Sequence, residues 1–279
     1  MGAGPDERLR PPPVWLRLTA PVRSGAYVAG PRGRRRTHRF IPERSAHSSS
    51  AQQEGSGTTE PKGTIRASSP KALVRHGWNR ASTIYRADRR AADVFGHSFA
   101  DHEAWLRPLF RLLPRDSEVL DLGCGCGVPD ARRLSERFRV TGVDISDVQI
   151  ARAKRLVPDA RFLRADMTEV RFRPETFGGI VCLYALIHVP LEEQRPLLER
   201  MHRWLGPGGL LLLTTGEVEF TGVEENWIGS NAAMYWSHTD AAAYERWLLD
   251  AGFEVLQRTH VPEGSEGHAL FLARKRPLE

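Results

Sequence analysis

Cysteine is scarce in this chain: there are three in 279 residues, and two of them, Cys124 and Cys126, stand one residue apart. An odd, clustered set of this kind excludes the disulfide framework of a small secreted domain. Long hydrophobic runs are lacking too. The longest, "GGIVCLYALI" and "GGLLLLTT", fall short of the roughly 20 apolar residues that a membrane helix needs. Near the N-terminus Arg17 interrupts the one stretch that could serve as the core of a signal peptide. A soluble, cytoplasmic protein is therefore expected. Lysine is rare as well, 4 of 40 basic residues, a usage that points to a GC-rich bacterial genome and to natural-product metabolism.

Acidic residues are few only at the start. Residues 1–70 hold 12 Lys/Arg and 5 Asp/Glu, whereas residues 71–279 hold 28 and 29. The basic character thus belongs to the leading segment, and the body offers no broad cationic face for a nucleic-acid backbone. Residues 1–70 also carry 9 of the 19 prolines, the run Gly33–Arg36 and a Ser/Thr/Gly-rich stretch, and read as a disordered tail. The basic run suits either a solvated tail or an arm for an anionic surface, and Asp6, Glu7 and Pro11–Pro13 fit a targeting leader poorly.

From residue 71 the pattern changes. "VRHGWNRASTIYRADRRAADVF" and "DHEAWLRPLFRLL" place apolar residues at helical spacing. Short apolar strands then alternate with amphipathic helices: "EVLDLG", "RVTGVDIS", "ARFLRADM", a longer "GGIVCLYALIHV", "LLLLTT", and a closing pair "EVLQRTHV" and "HALFLARK". Such alternation predicts an α/β fold with a mostly parallel sheet covered by helices on both faces.

In a sheet of that kind ligands bind beyond the carboxyl ends of the strands. The first strand ends at Asp121, and Gly123, Gly125 and Gly127 follow before a helix begins. Glycine admits positive φ and has no β-carbon, so the backbone there can turn tightly against a ligand. Asp144 closes the second strand and is placed to accept hydrogen bonds from two ribose hydroxyls. Asp166 closes the third and is placed to meet an adenine amino group. Each acid alone could be a helix cap; three on successive strand ends after a glycine loop form a constellation.

With these features, residues 80–275 resemble the class I S-adenosylmethionine (SAM)-dependent methyltransferases of the small-molecule type. The carriers are "DLGCGCG", Asp144, Asp166, "GGIVCLYALIHVP" and "WLGPGGLLLLTT". The resemblance implies a Rossmann-like, seven-stranded sheet with an antiparallel last strand. It also implies SAM as methyl donor, S-adenosylhomocysteine as product and a small organic acceptor. Gly123, Cys124 and Gly125 would cradle the methionine part and Asp121 would help hold its amino group. Asp144 would take the ribose, Ile145 the adenine face, and Asp166 with Met167 its edge. Tyr184, in the fourth-strand region, and Tyr85, in a helix closing over the donor, complete the expected set, with Trp78 a looser lid candidate.

Cys124 and Cys126 are then small loop residues, and the absence of a matching Cys/His cluster argues against a metal. A loop thiol made reactive by a helix N-terminus is a further expectation. His188 and His238 are the candidate bases for an acceptor that arrives protonated. The long segment 216–240 is expected to cap an acceptor pocket, with Trp227, Tyr235 and Trp236 as walls. A lid or dimer contact is the plainer alternative for that segment, and the sequence leaves a homodimer open. Two rival functions remain at this level. A nucleic-acid methyltransferase is disfavoured by the absence of an Asn/Asp-Pro-Pro-Tyr motif after the fourth strand. A non-catalytic SAM-binding or scaffold protein is disfavoured by the intact loop.

Overall fold

The computed structural model describes residues 69–82, 84, 98–263 and 266–276. The predicted tail lies outside them except for Ser69 and Pro70, as does Tyr85.

Local chemistry explains where the helices start. α1 (Pro70–Ala81) has proline at its first position and Ser69 Oγ accepting from Ala72 N at 3.3 Å. α2 (Phe99–Leu112) opens on a reciprocal capping box between Ser98 and Asp101. β1 (Glu118–Leu122), α3 (Asp130–Ser135), β2 (Arg139–Asp144), α4 (Asp147–Leu156), β3 (Arg161–Arg164) and β4 (Phe177–Cys182) follow in alternation. α5 (Leu191–Trp204) leads into β5 (Leu205–Gly216). A hairpin of β6 (Phe220–Glu224) and β7 (Met234–His238) precedes α6 (Ala241–Asp250), β8 (Phe253–Glu263) and β9 (Glu266–Lys275).

Seven strands form one sheet in the order β3-β2-β1-β4-β5-β9-β8. β1 to β5 run parallel, and β9 runs antiparallel to both β5 and β8. The period-2 alternation of strand side chains builds two cores. Val119, Val181, Leu210 and Leu212 pack with Leu106 and Leu109 of α2 and Ile150 of α4. Leu120, Ile180, Leu211 and Leu213 pack on the other face with Leu198 of α5 and Leu248 of α6. Because both faces are covered, the strands read as near-continuous apolar runs. Among the described residues no helix is long and apolar enough to cross a membrane.

Two expectations are corrected. The long fourth strand stops at Cys182. Tyr184 then takes a left-handed backbone conformation, φ +53°, and Leu186–His188 form a single 3-10 turn. An apolar run has no periodicity that could reveal such a break. The segment 216–240 is likewise an ordered hairpin, paired from Phe220↔His238 to Glu224↔Met234, and its β7 strand packs against α1 and the 186–188 turn.

Candidate active site

The loop after β1 is tied to the tip of β2, with Gly123 N and Cys124 N both donating to Val143 O at 2.7 and 3.1 Å. Gly123 has φ +76°, and a β-carbon there would lie 2.1 Å from the β-carbon of Ala185. The bend therefore tolerates no side chain. At Gly125, φ +52°, a β-carbon would make only an ordinary contact, with Gln149 Nε2 at 3.8 Å.

Beside this loop lies a cleft holding about 910 Å³ of space, solvent at its mouth included. Gly123, Cys124 and Gly125 line it, together with Asp144, Ile145, Asp166 and Met167. Tyr184 and His188 line it as well. Thus most of the predicted donor residues converge. Asp121 does not line the cleft but lies beneath it, 3% exposed, with Oδ2 lacking any hydrogen-bond partner. Burial first, then the nearby charges of Asp130 and Asp144, push the Asp121 carboxyl well above the usual range, with His102 pulling partly back. A buried acceptor with an unmet oxygen in an acidic neighbourhood suits a cationic amine. The residues present therefore fit an amino-acid-bearing nucleoside.

Asp144 accepts from Gly125 N at 2.9 Å and from Ser146 N at 2.8 Å. Burial still raises it to about 6 against the pull of those two bonds. Asp166 behaves in the opposite way. Burial would raise it, but hydrogen bonds from Lys71 and Thr168 outweigh that and hold it below the ordinary value. Lys71 Nζ, from the first turn of α1, lies 2.9 Å from Asp166 and 2.6 Å from Glu193. It fastens α1 to the loop after β3 and to α5.

The thiol expectation fails. Burial, Asp121 and Asp144 push the Cys124 thiol well above its ordinary value, and α3 starts only at Asp130. With acids rather than a helix terminus around it, the thiol stays protonated.

The two histidines part company. His188 is buried, and its Nδ1 lies 2.8 Å from the carbonyl of Tyr235. Facing a carbonyl, Nδ1 carries the proton, so Nε2 carries the lone pair. Burial lowers the ring to about 4. His238 does not line the cleft; its Nδ1 faces Val218 O at 2.7 Å. The predicted aromatic walls are also displaced. Trp227 and Trp236 are buried at 2% and 9% exposure and line no part of the cleft. They pack behind His188, with Trp236 4.4 Å and Trp227 6.4 Å from its ring. Tyr235 contributes its carbonyl, and Trp78 reaches the cleft from α1. A hairpin strand must bury one face, and that face of β7 took Trp236, while Trp227 is buried from the 3-10 turn between the two strands.

Sequence reasoning missed three charged or titratable residues of the lining, Lys71, His102 and Asp130. His102 Nδ1 sits 2.9 Å from Asp130 Oδ1. Asp130 follows the glycine loop directly and could have been noticed; nothing in the periodicity of α1 or α2 marks the other two.

Comparison with known proteins agrees with this geometry. Residues 119–209 match the family model described as a methyltransferase domain. A methyltransferase domain lies within residues 119–209. The matched span covers β1 to the start of β5, so it contains the glycine loop and the tips of the next three strands. The domain is similar to the carboxy-S-adenosyl-L-methionine synthase of Chromohalobacter salexigens, 31% identical over 162 residues, 54% of this chain and 58% of the other. It is also similar to sterol 24-C-methyltransferase erg-4 of Neurospora crassa, 29% identical over 154 residues, 49% of this chain and 40% of the other. The chain thus spans about half the length of these curated relatives. Among solved structures, the magnesium protoporphyrin IX methyltransferase of Synechocystis with bound SAM superposes with a TM-score of 0.58. There the identity is 18%, with 76% of this chain and 100% of the other covered, a likeness of fold.

Proposed function

We propose that the chain transfers a methyl group from SAM to a small organic acceptor and releases S-adenosylhomocysteine. One observation carries the reading: a single cleft is lined by the glycine loop, by Asp144 and Asp166, and by His188. When bound, SAM supplies a methyl group already activated on sulfonium. Gly123, Cys124 and Gly125 hold its methionine part. Asp144 takes the ribose hydroxyls, Ile145 lies on the adenine, and Asp166 with Met167 meets its edge. Tyr184 and Trp78 narrow the path between donor and acceptor.

What remains for the protein is alignment and exclusion of water. His188 Nε2 accepts the acceptor's proton, and the Tyr235 carbonyl steadies the ring as it charges. A base lowered to about 4 is weak, yet sufficient for a hydroxyl or amine whose proton turns strongly acidic as the new bond forms. His238 stays in this reading only as a group beyond the cleft. Trp227 and Trp236 shape the acceptor end through His188, and Tyr235 through its carbonyl. The near-neutral body, 28 basic against 29 acidic residues, supports a small acceptor over a nucleic acid. A cytoplasmic setting and service in bacterial secondary metabolism belong to the same reading.

Isothermal titration of the full chain with SAM and S-adenosylhomocysteine tests the donor half. Heat with neither ligand would end the proposal. Labelled SAM with fractionated host extract tests the acceptor half, and a labelled small molecule is expected. Label on nucleic acid, or none at all, would select one of the rival functions.

A further inference from the structure

We infer that Gln194 is a positioning residue for His188: its side-chain amide ties the turn that carries the histidine to the strand that holds its ring. The inference rests on the reading of His188 as the base. Gln194 stands one turn into α5 and is fully buried. Its Nε2 donates to the carbonyl of Val189 at 2.7 Å and to the carbonyl of Ser237 at 2.6 Å. Val189 closes the 186–188 turn and lines the cleft, and Ser237 belongs to β7. Gln194 Oε1 accepts from the hydroxyl of Tyr244 on α6, which is itself fully buried. Burial pushes that hydroxyl above its ordinary range, so it keeps its proton and donates. The tyrosine thereby fixes which end of the amide is oxygen, and both N–H bonds are committed to the two carbonyls.

Carbonyls two residues apart on a strand leave it by the same edge. The Tyr235 carbonyl takes His188 Nδ1 at 2.8 Å, and the Ser237 carbonyl, next along that edge of β7, takes Gln194. One bond fixes a distance between turn and strand; two fix the direction of the turn along it. The same amide nitrogen also holds Val189, so the backbone immediately after His188 is registered against β7. Nδ1 of the ring is then kept on Tyr235, and Nε2 is presented in one orientation. Catalysis is sensitive to such placing, since a shift of about 1 Å in a reacting group can cost about 100-fold in rate. Tyr244 acts at one further remove, by orienting the amide.

The test is NMR on the full chain with histidine labelled at its ring nitrogens, the His188 signals being assigned by their loss in His188→Gln. The wild type should carry the His188 proton on Nδ1 alone. Gln194→Met keeps the length of the side chain and removes all its hydrogen bonds. It should bring in the Nε2–H tautomer of His188. Transfer of label from SAM into fractionated host extract should fall at least about tenfold, with S-adenosylhomocysteine affinity changed by less than about twofold. Tyr244→Phe removes only the hydroxyl that orients the amide. It should change the same signals in the same direction by less, and it keeps the question answerable if Gln194→Met does not fold. Lost stability with the wild-type tautomer retained would mark a merely structural role and overturn the inference. So would undiminished label transfer in Gln194→Met. A His188→Gln variant that transfers label as fast as the wild type would instead overturn the base reading, and this inference with it.

Discussion

The donor and acceptor sides of the proposed site are built in different ways. The donor end is made of strand tips: Gly123 and Asp144 sit 21 residues apart in sequence, bridged by a backbone bond from Gly125 to the Asp144 carboxylate. The acceptor end is made of a turn and a distant hairpin: His188 is held by the carbonyl of Tyr235, 47 residues away. In the proposed reading the donor is met by backbone and short acids, which depend on local conformation. At the acceptor end a single imidazole is met, whose aim depends on the tryptophans packed behind it. The lesson is that the glycine loop and Asp144 belong to one βαβ unit, whereas the placing of His188 is a property of the assembled core.

The largest effect that separates the two ends should come from Trp236→Ala. Truncating an aromatic side chain in the core costs about 3–5 kcal/mol, read by denaturant unfolding. Opening the space behind His188 should also bring its titration up from about 4 toward the ordinary 6.5, read by NMR. Were Trp236 instead a direct acceptor wall, that titration would stay in place while acceptor affinity fell.

Next comes Gly123→Val, which would place a β-carbon against Ala185 at φ +76°. Strain and collision together should weaken S-adenosylhomocysteine binding at least about 100-fold. Wild-type affinity in this variant would break the claim that the bend must lack a side chain. His188→Gln should behave in the converse way. Methyl transfer from labelled SAM should drop about 100-fold, with S-adenosylhomocysteine affinity changed by less than about threefold. If both fall together, the two ends are not separable.

The smallest effect is on stability against pH. His188 is lowered from 6.5 to about 4, so its contribution is present above 6.5 and is lost as pH falls through 4. Asp144 is raised from 3.8 to about 6, so its contribution is present below 3.8 and is lost as pH rises through 6. Between pH 4 and 6.5 the two oppose each other. Asp144→Asn removes one side, and the variant should lose on the order of 2 kcal/mol more than wild type on acidification across that window. Parallel stability curves would show that one of the two assignments is wrong.

Strand tips, the glycine loop and both acids of the donor wall were legible in the residues because each follows a local rule. Period-2 burial marks a strand, a run of glycines marks a close approach, and an acid after an apolar strand marks the ligand end. His188 was legible as a candidate but not distinguishable from His238, since both follow or sit in apolar segments. The break at Tyr184 and the hairpin at 220–238 were not legible, because a long apolar run and a mixed polar run carry no signal for where they bend.

By itself, then, the order of residues determined the sheet, its helices and the bend that faces the donor, for these follow from forces acting within a few residues or one βαβ unit. Only the tertiary structure decided which histidine reaches the cleft, that the tryptophans back it rather than wall it, and that Lys71 fastens α1 over Asp166. Those outcomes depend on side chains 47 to 122 residues apart finding shared burial, and no local pattern encodes which of several apolar faces will meet.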